Sequence, residues 1–117
     1  MNVLIIINDP PYGTEKAYNA LRLAAALQRE QPDARVRVFL MADAVICAAS
    51  GQNTPNGYYN IGRMLRLVGA KGGEVALCGS CMDARGLEED ACLIGMRRST
   101  MDELAQWTIE ADKVLVF

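Results

Sequence analysis

Val3-Leu4-Ile5-Ile6-Ile7-Asn8-Asp9-Pro10-Pro11-Tyr12-Gly13-Thr14 is the stretch on which the fold turns. From Val3 to Ile7 the side chains are all β-branched or Leu, with no polar face. That is the pattern of a strand buried on both sides of a parallel sheet. Asp9 to Gly13 reads as a rigid turn, because Pro10 and Pro11 fix φ and cannot continue a ladder. Thr14 then stands as a helix N-cap, with Glu15 in the first turn facing the positive end of the helix dipole. A buried strand, a tight turn and a capped helix in this order open a β-α unit.

The same alternation continues outward from this unit. Ala17, Leu21, Ala24 and Leu27 or Gln28 follow at helical spacing, with Arg22 and Arg29 toward solvent, and Pro32-Asp33 closes the helix. Arg35 to Leu40 begins as an alternating strand and ends fully apolar. Asp43 is placed to cap a short helix through Ala49, and Gly51 to Gly57 forms the longest loop. Tyr59 to Val68 is amphipathic, with Ile61, Leu65 and Val68 inward and Arg63 and Arg66 outward. Val75-Ala76-Leu77 reads as a strand, whereas Leu87 to Ile94 fits neither period. Ser99 or Thr100 caps a helix carrying Met101, Leu104, Ala105, Thr108 and Ile109 along one side, and Val114 to Phe117 is a final strand. Strands alternating with helices imply a three-layer α/β/α sandwich around a mainly parallel sheet. In such sheets ligands sit beyond the carboxyl ends of the strands. Asn8 to Thr14, Met41 to Asp43 and Cys78 to Gly86 are thereby expected on one rim.

Composition narrows the function. At 117 residues the chain is read as one domain, residues 1–117, able to bury roughly two thirds of its unfolded surface. Its 51% apolar content supports a packed core rather than disorder. The net charge of -2, from 12 Lys+Arg against 14 Asp+Glu, comes without a basic block, so neither nucleic acid nor a membrane surface is indicated. The N-terminus lacks a positive n-region and its apolar run stops at Pro10-Pro11, unlike a secretion signal. No stretch nears the ~20 apolar residues of a membrane span. The expectation is a cytosolic protein with reduced thiols. The chain contains 0 His, which removes Ser-His-Asp and Cys-His machinery and any zinc site that needs imidazole.

Sulfur is left as the reactive element. Cys78 and Cys81 form a CxxC directly after the Val75-Ala76-Leu77 strand, in a Gly/Ser turn with exposed backbone and room for a partner. Four readings stand. Structural zinc needs two further ligands, and Cys47 and Cys92 are isolated and read as small core hydrophobes. A thioredoxin-type dithiol needs a long helix after the first Cys, and Met82 to Gly86 is short. A nucleophilic Cys carrying persulfide sulfur, with an auxiliary second thiol, is the third. Two inert loop thiols are the fourth. Arg85 is the nearest obvious cation to Cys78 and also reads as a plain solvated charge. Lowering a thiol pKa from ~8.5 to ~7 raises its thiolate fraction about fifteenfold at neutral pH, but intrinsic nucleophilicity falls in return, so access matters more. The Asn8–Thr14 turn could seat an anion on free N–H groups, yet it matches neither phosphate-loop pattern and equally serves only to shape a turn. Trp107 reads as packing or an oligomer contact rather than a substrate platform.

Several motifs together resemble a known family. They are the strand followed by Pro11-Tyr12-Gly13-Thr14, then Phe39-Leu40-Met41-Ala42-Asp43-Ala44-Val45, then Leu77-Cys78-x-x-Cys81-x-Asp83-x-Arg85-Gly86. Leu104-Ala105-Gln106-Trp107-Thr108 and Ala111-Asp112-Lys113-Val114-Leu115-x-Phe117 complete the set. The chain is similar, nearly end to end, to the DsrE-type sulfur-relay family (DsrE/TusD-like), and within it to the small YchN-like branch. The resemblance implies about five parallel strands, one of them around Met96-Arg97, and homo-oligomers, commonly hexamers of paired trimers. It places Cys78 where the sulfur-carrying members accept persulfide sulfur, and Cys81 as a feature of the YchN-like branch that the TusD-like pattern lacks. Asp83, Arg85, Tyr12, Gly13 and Thr14 are the supporting motif residues. The expected function is a cytoplasmic sulfur carrier or sulfurtransferase with no metal or organic cofactor, working between sulfur donor and acceptor proteins. The alternative is a non-catalytic oligomeric small-ligand-binding or thiol-redox protein using the same rim.

Overall fold

The computed structural model describes residues 1–55 and 59–117. The end of the long loop at Gly57, and Tyr58, lie outside the described residues. Among the described residues, five strands form one all-parallel sheet. They are β1 (Asn2–Ile7), β2 (Arg35–Leu40), β3 (Glu74–Cys78), β4 (Arg97–Ser99) and β5 (Lys113–Val116), and their order across the sheet is β4-β3-β2-β1-β5. The connecting helices are α1 (Lys16–Glu30), α2 (Ile61–Ala70), α3 (Gly79–Ala84) and α4 (Met101–Glu110), with a 3₁₀ segment at Ala42–Ala48 and a 3₁₀ turn at Glu89–Ala91. The chain steps from β1 to β4 in one direction, then returns through α4 to place β5 beside β1. Right-handed crossovers put α1 and α2 on one face and α4 on the other. This is the expected α/β/α architecture.

The core forms where the apolar runs cross. Leu4, Ile5 and Ile7 of β1, Val38, Phe39 and Leu40 of β2, and Ala76 and Leu77 of β3 are fully buried. Ala17, Ala20, Leu21 and Ala24 of α1 and Ile61, Leu65 and Val68 of α2 are buried as well. Small residues on α1 allow a close approach to the sheet, and the Gln28 amide reaches across to the Val68 carbonyl at 2.9 Å. On the opposite face the Trp107 ring meets Phe39 edge-on, with centroids 6.0 Å apart.

Several local expectations are corrected. Helix α1 starts at Lys16, and its N-cap Glu15 makes no side-chain capping bond. Thr14 stands one residue before the N-cap, donating to Asp9 Oδ2 at 2.8 Å and accepting from the Lys16 N–H at 3.4 Å. The Ala42–Ala48 segment is 3₁₀ and is not capped by Asp43, whose carboxylate is drawn to Arg85. Helix α2 begins at Ile61 with Asn60 accepting from the Arg63 N–H, while Tyr59 stacks on Tyr18. Thr100, not Ser99, caps α4. The inward face of α4 is Leu104 and Trp107; Met101 and Ile109 point to solvent. The weak fifth strand is Arg97–Ser99, just after Met96.

Arg37 departs most from its sequence reading. An alternating strand places it outward, yet it is buried beneath α4. Its guanidinium lies 4.8 Å from the Trp107 ring centroid, donates to Glu74 Oε1 at 3.1 Å and to Glu110 Oε2 at 2.5 Å. Arg97 flanks the same ring and pairs with Glu103 at 2.6 Å. Burial of a guanidinium is tolerated because carboxylates and an aromatic face replace its water.

Candidate functional site

The carboxyl ends of β1, β2 and β3 stand side by side. Ile7 is in register with Leu40, and Leu40 with Leu77, so the residues that follow them form a common rim. Cys78 closes β3 and is also the N-cap of α3. The expected open Gly/Ser turn is thus a short helix. Its anchor is Met82, fully buried, which draws Gly79–Ala84 against the strand end. Gly79 is needed for this approach, since a β-carbon there would sit 2.9 Å from the Ser99 carbonyl and from the Arg98 guanidinium.

The turn therefore shields its thiols more than the sequence implies. Cys78 is only 6% exposed and Cys81 is half-buried. Cys78 Sγ lies 3.3 Å from Ser80 Oγ. Burial alone pushes its thiol pKa up, but hydrogen bonds from the Cys81 and Ser80 side chains outweigh that and hold it below the usual thiol value. No capping bond of ordinary geometry reaches the α3 amides, although the N–H groups of Cys81 and Ser80 also favour the thiolate. Cys81 behaves oppositely. Burial and the neighbouring Cys78 sulfur raise its pKa, against the Ala42 N–H and the Arg85 charge. Cys78 is the sulfur poised to ionise, and Cys81 is its proton-bearing neighbour.

Cys81 is held from outside its own helix. The Ala42 N–H donates to Cys81 Sγ at 3.2 Å, and Ala42 adopts φ 50, a left-handed conformation unusual for alanine. Arg85 donates to Asp43 Oδ1 at 3.0 and 2.9 Å and to the Cys81 carbonyl at 3.1 Å. It clamps α3 to the segment after β2, so its charge bears on Cys81 while the main influences on Cys78 are Cys81 and Ser80. Asp83 takes a bidentate bond from Arg98 at 2.7 and 2.8 Å, tying α3 to β4.

The third rim loop contributes architecture. Tyr12 hydrogen-bonds Thr54 Oγ1 at 2.7 Å, Gly13 takes φ 104, and Thr14 bonds Asp9. Their side-chain hydrogen bonds reach Thr54, Asp9 and the Lys16 N–H, and none reaches Cys78 or Cys81. Cys47 is fully buried, with its thiol pKa pushed up to about 12 by burial. Cys92 is half-buried, bridges to Ala49, and is also shifted up by burial and nearby acids. Among the described residues, no group of three or more His, Cys, Asp or Glu could hold a metal ion. A groove of about 610 Å³ between α1 and α2, lined by Arg22, Met64 and Lys71 among others, belongs to the helical face and includes no rim residue. Sequence reasoning missed the Ala42 amide, Ser80 and Arg98. A backbone N–H leaves no sequence signal, and Arg98 lies 15 positions from Asp83.

Comparison with known proteins bears on the family and the fold. The DsrE/DsrF-like family model matches residues 1–117. Protein YchN of Escherichia coli is 44% identical over 115 residues, covering 98% of this chain and 97% of that protein. An uncharacterized protein of Methanocaldococcus jannaschii is 36% identical over 117 residues, covering 100% of both. The crystal structure of the Escherichia coli ychN protein superposes with a TM-score of 0.94 at 43% identity, over 99% of this chain and 98% of that one. A protein of unknown function from Methanobacterium thermoautotrophicum shares the fold, with a TM-score of 0.73 at 15% identity over 99% of this chain and 98% of that one. A chain matched over its whole length by the family model, and this similar to YchN, belongs to the DsrE/DsrF-like family.

Proposed function

We propose that the protein is a sulfur carrier or sulfurtransferase that accepts persulfide sulfur on Cys78. The observation that carries this reading is the pairing of a thiolate-favouring Cys78 with the Ser80 and Cys81 donors at the carboxyl edge of the sheet. The Cys78 thiolate attacks the outer sulfur of a donor persulfide. A new S–S bond forms on Cys78, the donor S–S bond breaks, and the donor leaves as a thiolate with that electron pair. No metal or organic cofactor is needed for this step. Low exposure of Cys78 slows attack by free thiols and favours delivery by a docked partner. The reading places the chain in the cytoplasm, as a homo-oligomer such as a hexamer, between sulfur donor and acceptor proteins. It needs neither nucleic acid nor membrane, and no described helix is long and apolar enough to cross one.

The adjacency of the two thiols also favours a thiol-redox reading, in which the pair merely cycles between dithiol and disulfide. Intact-mass analysis after incubation with glutathione persulfide separates the two. A reductant-reversible gain of one sulfur atom, lost in Cys78→Ser and retained in Cys47→Ala and Cys92→Ala, is the expected result. Loading that survives the loss of Cys78 overturns the assignment, and a Cys81→Ser variant that gains no sulfur at Cys78 favours the redox reading.

A further inference from the structure

Cys78 and Cys81 occupy the N-cap and third position of α3. Helical positions three apart bring β-carbons to about 5–6 Å; a disulfide needs them at roughly 3.5–4.5 Å, a difference that a small rotation at Cys78, the non-helical N-cap, can close. The two thiols influence each other's ionisation, Cys81 favouring the Cys78 thiolate. It is also the thiol that the rest of the rim holds in place. The Ala42 N–H meets its sulfur at 3.2 Å from a left-handed backbone, and Arg85 grips its carbonyl at 3.1 Å while bound to Asp43. An incidental second thiol has no need of a left-handed alanine from another loop, nor of an arginine at the end of its own helix anchored to Asp43 of that loop.

We propose that Cys81 is a resolving thiol that discharges the Cys78 persulfide within the same chain. This rests on Cys78 being the sulfur acceptor. The Cys81 thiolate attacks the inner sulfur of the persulfide, so a Cys78–Cys81 bond forms and the bond to the outer sulfur breaks. The electron pair leaves with the outer sulfur, which is reduced to hydrosulfide while the Cys81 sulfur is oxidised to the disulfide level. The Cys81 proton passes to solvent. Once Cys78 carries sulfur, its own thiolate no longer occupies the position that holds Cys81 protonated, while the Ala42 N–H and Arg85 remain. The resulting disulfide returns to the dithiol through exchange with a dithiol reductant, which is therefore the chemical class of partner for the next step.

The test loads the full chain anaerobically with glutathione persulfide, removes excess donor, and follows intact mass and released sulfide. The wild type is expected to shed its added sulfur as one sulfide per chain and to end two hydrogens lighter than the reduced protein, with Cys78 and Cys81 joined on peptide mapping. Cys81→Ser and Cys81→Ala are expected to keep the sulfur at least about tenfold longer, since no neighbouring nucleophile remains. Equal persulfide lifetimes in wild type and both variants overturn the resolving role and leave the carrier reading intact. A Cys81→Ser chain that never gains sulfur overturns both.

Discussion

At Cys78 burial and hydrogen bonding compete, and hydrogen bonding wins. Removing a thiolate from water raises its pKa, but the Cys81 thiol and the Ser80 hydroxyl offset that cost. Cys47 shows the other outcome: buried with no comparable donors, its thiol is pushed up to about 12 and is inert near neutrality. The sign of a mutational effect follows. The Cys81 side chain stabilises the charged form of Cys78, so Cys81→Ala should move the pH midpoint of Cys78 alkylation upward. Iodoacetamide labelling across a pH series, read by mass spectrometry, checks this; an unchanged or lowered midpoint contradicts the assigned hydrogen bond. The residues of the CxxC were legible in the sequence, but their unequal roles were not. That inequality arises inside the turn, where Cys81 and Ser80 favour the Cys78 thiolate and the Cys78 sulfur raises Cys81, and it persists although the amide of Ala42, 39 positions away, favours the Cys81 thiolate.

Among the elements, α3 shows how tertiary packing overrides a local signal. Gly79, Ser80 and Gly86 read as a loop, yet one turn of helix forms because Met82 has a core site to fill. β4 then runs so close that position 79 admits no side chain. Gly79→Ala should cost about 1–3 kcal/mol of stability through overpacking against the Ser99 carbonyl and should slow sulfur loading by displacing Cys78. Urea denaturation together with the loading assay checks both effects; full stability in the variant contradicts the contact. On α4, helical spacing alone chose Met101 and Ile109 as inward. The real face is set by Trp107, which covers Phe39 and sits between two guanidinium groups. A large aromatic ring with cations to cover outweighs the aliphatic stripe.

For the whole molecule, the outer strand and outer helix carry the argument about assembly. Trp107, read as a possible contact between subunits, is 4% exposed and already part of the monomer core. Exposed apolar side chains include Ile109, Val114 and Val116, which are 80%, 40% and 64% exposed, besides Met1, Leu67, Ile94 and Met101 elsewhere on the surface. Val114 and Val116 belong to β5, the edge of the sheet, where one row of backbone groups lacks a strand partner. Edges of this kind are commonly covered or paired. The proposed homo-oligomer is expected to sediment at micromolar concentration well above the 12.8 kDa of one chain. Val116→Lys should shift it toward smaller species if β5 lies at the contact. A single-chain mass for the unaltered protein overturns the assembly.

What the sequence determined by itself was the class of fold and the position of the CxxC at the carboxyl end of a strand. Val3 to Ile7, Arg35 to Leu40 and Val75 to Leu77 are runs that only a sheet covered on both faces can bury, and helical periods between them force parallel order. The absence of histidine and the CxxC after a strand pointed to sulfur chemistry at the carboxyl rim. Tertiary structure decided that the Ala42 amide meets Cys81, that Arg85 serves as a clamp, and that Arg37 lies under α4. Each depends on partners far along the chain: Ala42 for Cys81, Asp43 for Arg85, Glu110 for Arg37. Periodicity reports which face of an element is apolar, because that is a local property of spacing. Which polar group meets which is fixed only when the sheet brings distant strand ends to one edge.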